Sequence, residues 1–303
     1  MSERTFTPAG LDALPPLEMA RKAEQIGVAK AEMSTANTLA LSVLAGAFIA
    51  LGAIFATTVT AGGSDVPHGV LRLLGGVAFS LGLVLVIVAG AELFTGNNLI
   101  VMAWASRRVR TMRVARNWAL VYLGNFVGAL ATALILYVSK QYEFGQGAVG
   151  VQALSIADAK TDLGFLQAVA LGAFCNALVC LAVWLCYSAR TTTDKILAIV
   201  PPIAAFVAAG FEHCVANMFF IPMGLLISGD EAFVSSQPSV PDLANLTWAE
   251  FLVGNLVPVT IGNIIGGALM VGAIYWFVYL RDAAAGRPAE PLSNDAHATD
   301  SSR

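Results

Sequence analysis

Residues 37–64, 117–139, 163–189 and 251–280 contain no Asp, Glu, Lys or Arg. Each run exceeds the about 20 apolar residues that a helix needs to cross about 30 Å of hydrocarbon. Two further runs, 73–106 and 196–229, are each interrupted by one acidic residue, Glu92 and Glu212. An unbroken helix over either run would extend about 51 Å, well beyond the apolar thickness of a bilayer. Both runs are therefore expected to break near their middles. The composition agrees, because 57% hydrophobic and 12% charged residues fall outside the soluble range, where about a quarter of residues are charged. The chain reads as an all-α membrane protein with six transmembrane helices.

An even number of spans puts both termini on one side. All of the 17 Lys and Arg residues except Arg72, Lys140 and Lys160 fall in the N-terminal arm, the second and fourth loops, and the C-terminal tail. By the positive-inside rule these segments are cytoplasmic. The expected organisation is a cytoplasmic arm over 1–36, a six-helix domain over 37–281, and a small, polar, disordered tail over 282–303. Within the arm, Met19, Ala23, Ile26, Ala29 and Met33 recur at helical spacing. They predict an amphipathic helix on the inner membrane surface, with a plug in the inner mouth as the alternative. Cys175, Cys180, Cys186 and Cys214 lie inside apolar runs without a CxxC pair, so they read as reduced core residues and not as a disulfide or metal framework. No metal, cofactor or nucleic-acid partner is expected.

The two interrupted runs resemble each other. AGAELFTGN at 89–97 and AGFEHCVAN at 209–217 share A-G-x-E-x-x-x-x-N, and their neighbours match in the same order: GAF at 46–48 with 172–174, and GNFVG at 124–128 with GNIIG at 262–266. Spans 1–3 and 4–6 therefore read as duplicated units, over about 37–139 and 163–281. A unit with an odd number of spans must re-enter the membrane from the other side, so the repeat is inverted. In such folds the functional site lies near the midplane, at matching broken helices. Two half-helix N-termini meeting there, each with unpaired N–H groups and partial positive charge, favour an anion.

Glu92 and Glu212 are expected to accept backbone N–H groups at the breaks, with a proton relay as the alternative for an acid inside the membrane. His213 stands opposite Leu93 in the repeat and is the candidate functional group. Thr95 could bond its ring or cap a half-helix. Asn97 and Asn217 are expected to cap backbone groups near the breaks, whereas Asn125 and Asn263, in GNxxG segments, read as close helix packing. Lys160 is expected to draw anions towards the outer mouth, or to be an ordinary solvated lysine.

AELFTGNNLIVMAWAS, NWALVYLGNFVGA, CNALVCLAVW, GFEHCVANMFFIPMG and LVPVTIGNIIGGALMVGAIYWFVYLR resemble the formate/nitrite transporter family over about residues 11–282. The resemblance implies an aquaporin-like protomer of six helices, a homopentamer in a bacterial-type inner membrane, and one pore per protomer for formate, nitrite or hydrosulfide. His213 corresponds to the family's central pore histidine and Thr95 to the facing threonine. Asn176 would support the histidine, and Lys160 matches the outer lysine. Phe79, Leu83, Leu93, Val179 and Phe206 fall at the family's apolar constrictions. ELFTGN resembles the nitrite branch, whereas GFEH, the following IPMG and the long arm resemble the formate branch.

The expected function is a channel or transporter for small monovalent anions, formate first and nitrite second. An imidazolium at His213 would pair with the anion or hand it a proton. The alternative is an aquaporin-like pore for neutral solutes, which lacks the Asn-Pro-Ala pair of that group. An enzyme is not expected, because no second metal-binding His or nucleophile constellation accompanies Glu212 and His213.

Overall fold

The computed structural model describes residues 13–63 and 65–284. Their regular structure is helical, with no strand among the described residues. The helices that position the site are α1 (Pro16–Glu32), α2 (Thr35–Thr60), α3 (His68–Gly90), α4 (94–105), α5 (Thr111–Val138), α6 (Ala148–Thr161), α7 (Phe165–Ser188), α8 (Thr192–Ala209), α9 (Cys214–Ser228) and α10 (Glu250–Tyr279). The second and fifth spans are each two helices in series, α3–α4 and α8–α9.

Glycine sets the break in both. Gly90 and Gly210, the glycines of the repeated A-G-x-E, have φ of 84° and 77°. That left-handed conformation is strained for any residue with a Cβ, so it ends the first half-helix at low cost. The chain is extended through Ala91 and Leu93 in one break and at His213 in the other. Helix then resumes. Between them the exposed backbone is tied to neighbouring spans, the Glu92 N–H to Leu41 O and the Glu212 N–H to Leu171 O.

The two units pack alike. α2 lies against α5 and α7 against α10 at glycine distance: a Cβ on Gly128 would collide with the Val43 carbonyl, and one on Gly266 with that of Ala173. Such close backbone approach is the usual way to gain packing where lipid supplies no hydrophobic drive between helices. Leu123, Ile135, Leu166 and Leu269 remain exposed on the outer faces, as a surface in hydrocarbon requires.

α1 is not a surface-lying helix. Met19, Ala20, Ala23, Gly27 and Ala31 are buried, packed against Ile100, Met102 and Ala103 of α4 and Trp184 of α7. Arg108 pairs with Glu24 at 2.7 Å, and Arg116 donates to the Met33 carbonyl. The apolar stripe is too small-sided to favour lipid and instead allows close packing within the protein. The expected tail begins with a helical turn, Arg281–Ala284; the remainder lies outside the described residues.

Candidate functional site

Each carboxylate at a break is held by a lysine and an asparagine, and a second asparagine links those two. Glu92 accepts from Lys30 Nζ at 2.6 Å and Asn97 Nδ2 at 2.7 Å. Asn97 Nδ2 also donates to Asn117 Oδ1, and Asn117 Nδ2 returns to the Lys30 carbonyl. Glu212 accepts from Lys160 Nζ at 2.8 Å and Asn217 Nδ2 at 2.7 Å, Asn217 donates to Asn255, and Asn255 returns to the Lys160 carbonyl. The repeat thus extends beyond the spans: α1 and α6 are equivalent and each delivers one lysine. The clusters differ in one bond. Lys30 also reaches Asn97 Oδ1 at 3.0 Å, whereas Asn217 Oδ1 has no partner and Lys160 lies over the Phe220 ring.

These contacts correct several sequence expectations. Glu92 and Glu212 do not cap backbone with their carboxylates, and Asn97 and Asn217 bind the carboxylates instead of main chain. The first N–H of each second half-helix is capped by a GNxxG asparagine. Asn125 Oδ1 accepts the Phe94 N–H and Asn263 Oδ1 the Cys214 N–H, each at 2.9 Å. Each amide also donates to the carbonyl of the preceding glutamate, Glu92 or Glu212. An amide can do both because it carries donor and acceptor on one planar group. Lys160 is neither solvated nor free. Lys30, Asn117 and Asn255 carry no sequence signal except the equivalence of Lys30 and Lys160, which is hidden because the two lysines precede their glutamates by 62 and 52 residues.

His213 caps α9. Its Nδ1 accepts the Ala216 N–H at 3.0 Å. A backbone N–H can only donate, so Nδ1 carries no proton and the neutral ring's hydrogen sits on Nε2. Nε2 lies 3.0 Å from Thr95 Oγ1 and donates to it. The Thr95 hydroxyl hydrogen has no other partner among the described residues, so it is available to an incoming acceptor. An imidazolium at this position would have to protonate Nδ1 and surrender the Ala216 bond.

Asn176 does not touch the ring. It donates to the Thr95 carbonyl at 3.3 Å and to the Asn263 carbonyl at 2.6 Å, so it ties α4 to α10 behind the threonine. Two cavities approach the Thr95–His213 pair from opposite ends. One, of about 380 Å³, is walled by α1 and includes Lys22, Lys30, Leu83, Glu92, Leu93 and Lys195. The other, of about 370 Å³, includes Arg72, Phe79, Lys160, Phe206, Glu212 and His213. The expected constriction residues therefore divide. Leu83 and Leu93 belong to the α1 side, and Phe79 and Phe206 to the α6 side, with ring centroids 5.6 Å apart. Phe206 also stacks on the His213 ring at 6.0 Å. Val179 is buried and lines neither cavity.

Comparison with known proteins agrees with this architecture. Residues 17–277 match the model of the family described as Formate/nitrite transporter. The formate channel FocA of Escherichia coli (strain K12) is 46% identical over 274 residues, which cover 89% of this chain and 96% of that protein. FocA of Haemophilus influenzae is 41% identical, covering 86% and 93%. A solved pentameric formate channel with formate bound superposes with a TM-score of 0.76 at 43% identity, covering 82% of this chain and 98% of that one. With its inverted repeat, paired helix breaks and buried Thr95–His213 contact, the chain belongs to the formate/nitrite transporter family.

Proposed function

We propose that this protein is a transmembrane pore for small monovalent anions, with formate its first substrate and nitrite and hydrosulfide further candidates. The observation that carries the reading is the buried hydrogen-bond donor pair between two lysine-lined cavities. Taking a bare anion into an apolar slit costs several kcal/mol without compensating hydrogen bonds. Both cavities carry more cations than carboxylates, Lys22, Lys30 and Lys195 with Glu92 on one side and Arg72 and Lys160 with Glu212 on the other, which favours an anion's approach from either end. The Thr95 hydroxyl, polarised by Nε2–H of His213, replaces part of the lost hydration, and the N-terminus of α9 adds positive potential. Formate-channel relatives and the formate-bound neighbour support the substrate class.

His213 acts in this reading as a neutral donor. A proton-coupled cycle has to open the Ala216 N–H to Nδ1 bond, so pH dependence and loss of the α9 cap go together. The pentameric assembly of the structural neighbour and the exposed apolar faces support a homopentamer, and the distribution of basic residues supports cytoplasmic termini in a bacterial-type inner membrane.

Uptake of formate, nitrite and hydrosulfide into proteoliposomes, measured in parallel with osmotic swelling in glycerol, tests the proposal. Formate flux should exceed empty-liposome leakage by at least about tenfold. Glycerol or water permeation without anion flux would overturn it in favour of a neutral-solute pore.

A further inference from the structure

Lys22 and Lys195 line the α1-side cavity but belong to neither carboxylate cluster. Among the described residues neither forms a salt bridge. Lys22 donates from Nζ to the Tyr187 carbonyl at 2.8 Å. That bond fixes the ammonium at the cavity wall, leaves two of its three N–H groups for other acceptors, and does not neutralise it. The carboxylate adjacent to Lys195 is Asp194, which is committed to the start of α8, accepting the N–H groups of Arg190 and Thr191. Burial, then Lys195 and Arg190, hold the Lys22 amine below the ordinary lysine range. Both lysines line one cavity of about 380 Å³, several times larger than a three-atom anion.

The opposite cavity is built differently. Its cations are Lys160, paired with Glu212, and Arg72, which donates to the Val207 and Ala208 carbonyls at the end of α8. Arg72, like Lys22 at the Tyr187 carbonyl near the end of α7, is thereby fixed at a helix C-terminus and keeps its charge. Three lysines and one carboxylate line the α1 side, against one lysine, one arginine and one carboxylate on the other. The excess positive charge is concentrated in one cavity, and a cleft with low-dielectric walls lined by one sign of charge raises the local anion concentration.

We infer that Lys22 and Lys195 form a loading station for small carboxylate anions at the α1-side mouth, occupied before the anion reaches Leu83, Leu93 and the Thr95–His213 pair. The station rests on the transport reading above and makes the pore asymmetric: anions presented from the α1 side are captured at lower concentration than anions presented from the other. It assigns Lys22 and Lys195 to capture, separately from the break lysines Lys30 and Lys160, whose charges are already matched by glutamates.

The test uses excised membrane patches containing the full-length protein, with sodium formate added to one face at a time. Lys22→Met and Lys195→Met should each raise the half-saturating formate concentration at least about threefold from one face, the same face for both, with the opposite face unmoved. The shift should shrink as ionic strength rises, because screening shortens the reach of exposed charge. Lys22→Arg should restore most of the affinity. Equal shifts from both faces, or none from either in a channel that still carries formate, would overturn the station while leaving the transport reading intact. A wild-type protein that carries no formate overturns both.

Discussion

Thr95 Oγ1 and His213 Nε2, 118 residues apart in sequence, meet at 3.0 Å in the interior of the protein. Each sits at the start of a second half-helix, so the two breaks share a hydrogen bond. Thr95→Val keeps the shape and removes the hydroxyl. It should lower formate flux by about tenfold, the value of roughly one hydrogen bond at the barrier, whereas Thr95→Ser should retain most of it. Single-sided flux in proteoliposomes reads the difference, and equal activity in the two variants would exclude the hydroxyl as a donor.

His213 combines two tasks that substitution can separate. Asparagine is a good N-cap and can accept the Ala216 N–H, so His213→Asn should fold with near wild-type stability but lose the Nε2–H donor and most of its formate flux. His213→Phe removes both and should also cost about 1 kcal/mol of stability. Thermal unfolding of the detergent-purified protein, beside flux across a pH series, checks this. Wild-type flux and pH dependence in His213→Asn would rule out a role for the ring.

Lys30 and Glu92 pair at 2.6 Å, the carboxylate buried and the lysine side chain 25% exposed. Lys30→Met leaves the buried Glu92 carboxylate without its cation and should destabilise the protein by about 1–3 kcal/mol, less than for a fully buried pair because the lysine is partly exposed and Asn97 still donates to the carboxylate. The double variant Lys30→Met, Glu92→Gln removes both charges and should recover most of that loss. Failure of the double variant to recover would mean that α1 is held by packing alone and not by the ion pair.

Leu93 lies on the α1 side of the pair and Phe206 on the other. Leu93→Ala should admit a larger carboxylate, raising acetate flux relative to formate several-fold, because deleting the side chain opens space that the close-packed surroundings only partly refill. Competitive uptake of the two anions measures the ratio. An unchanged ratio would place the narrowest point elsewhere.

Gly128 and Gly266 occupy equivalent crossings of the two units. Alanine at either should cost about 1–3 kcal/mol through the carbonyl it meets. The losses should be similar and nearly additive, since the crossings belong to separate helix pairs. Unfolding midpoints of the two single variants and the double variant test this.

Spans, breaks and the inverted repeat were legible in the residues themselves. They depend on run length, on the absence of charge and on the single glutamate inside each long run, all local properties of a chain that must satisfy its own backbone in lipid. The candidate pair Thr95 and His213 followed from the repeat together with the family resemblance. Partner choice did not follow. Glu92 could accept from backbone or from a lysine 62 residues earlier, and Asn125 could pack a helix or cap one 31 residues away. The letters are the same in either case. Those contacts depend on how far each helix is rotated and how deep it sits against its neighbours. Only the assembled bundle sets these, and it turned a surface helix into a cavity wall, packing asparagines into caps and a free lysine into half of an ion pair.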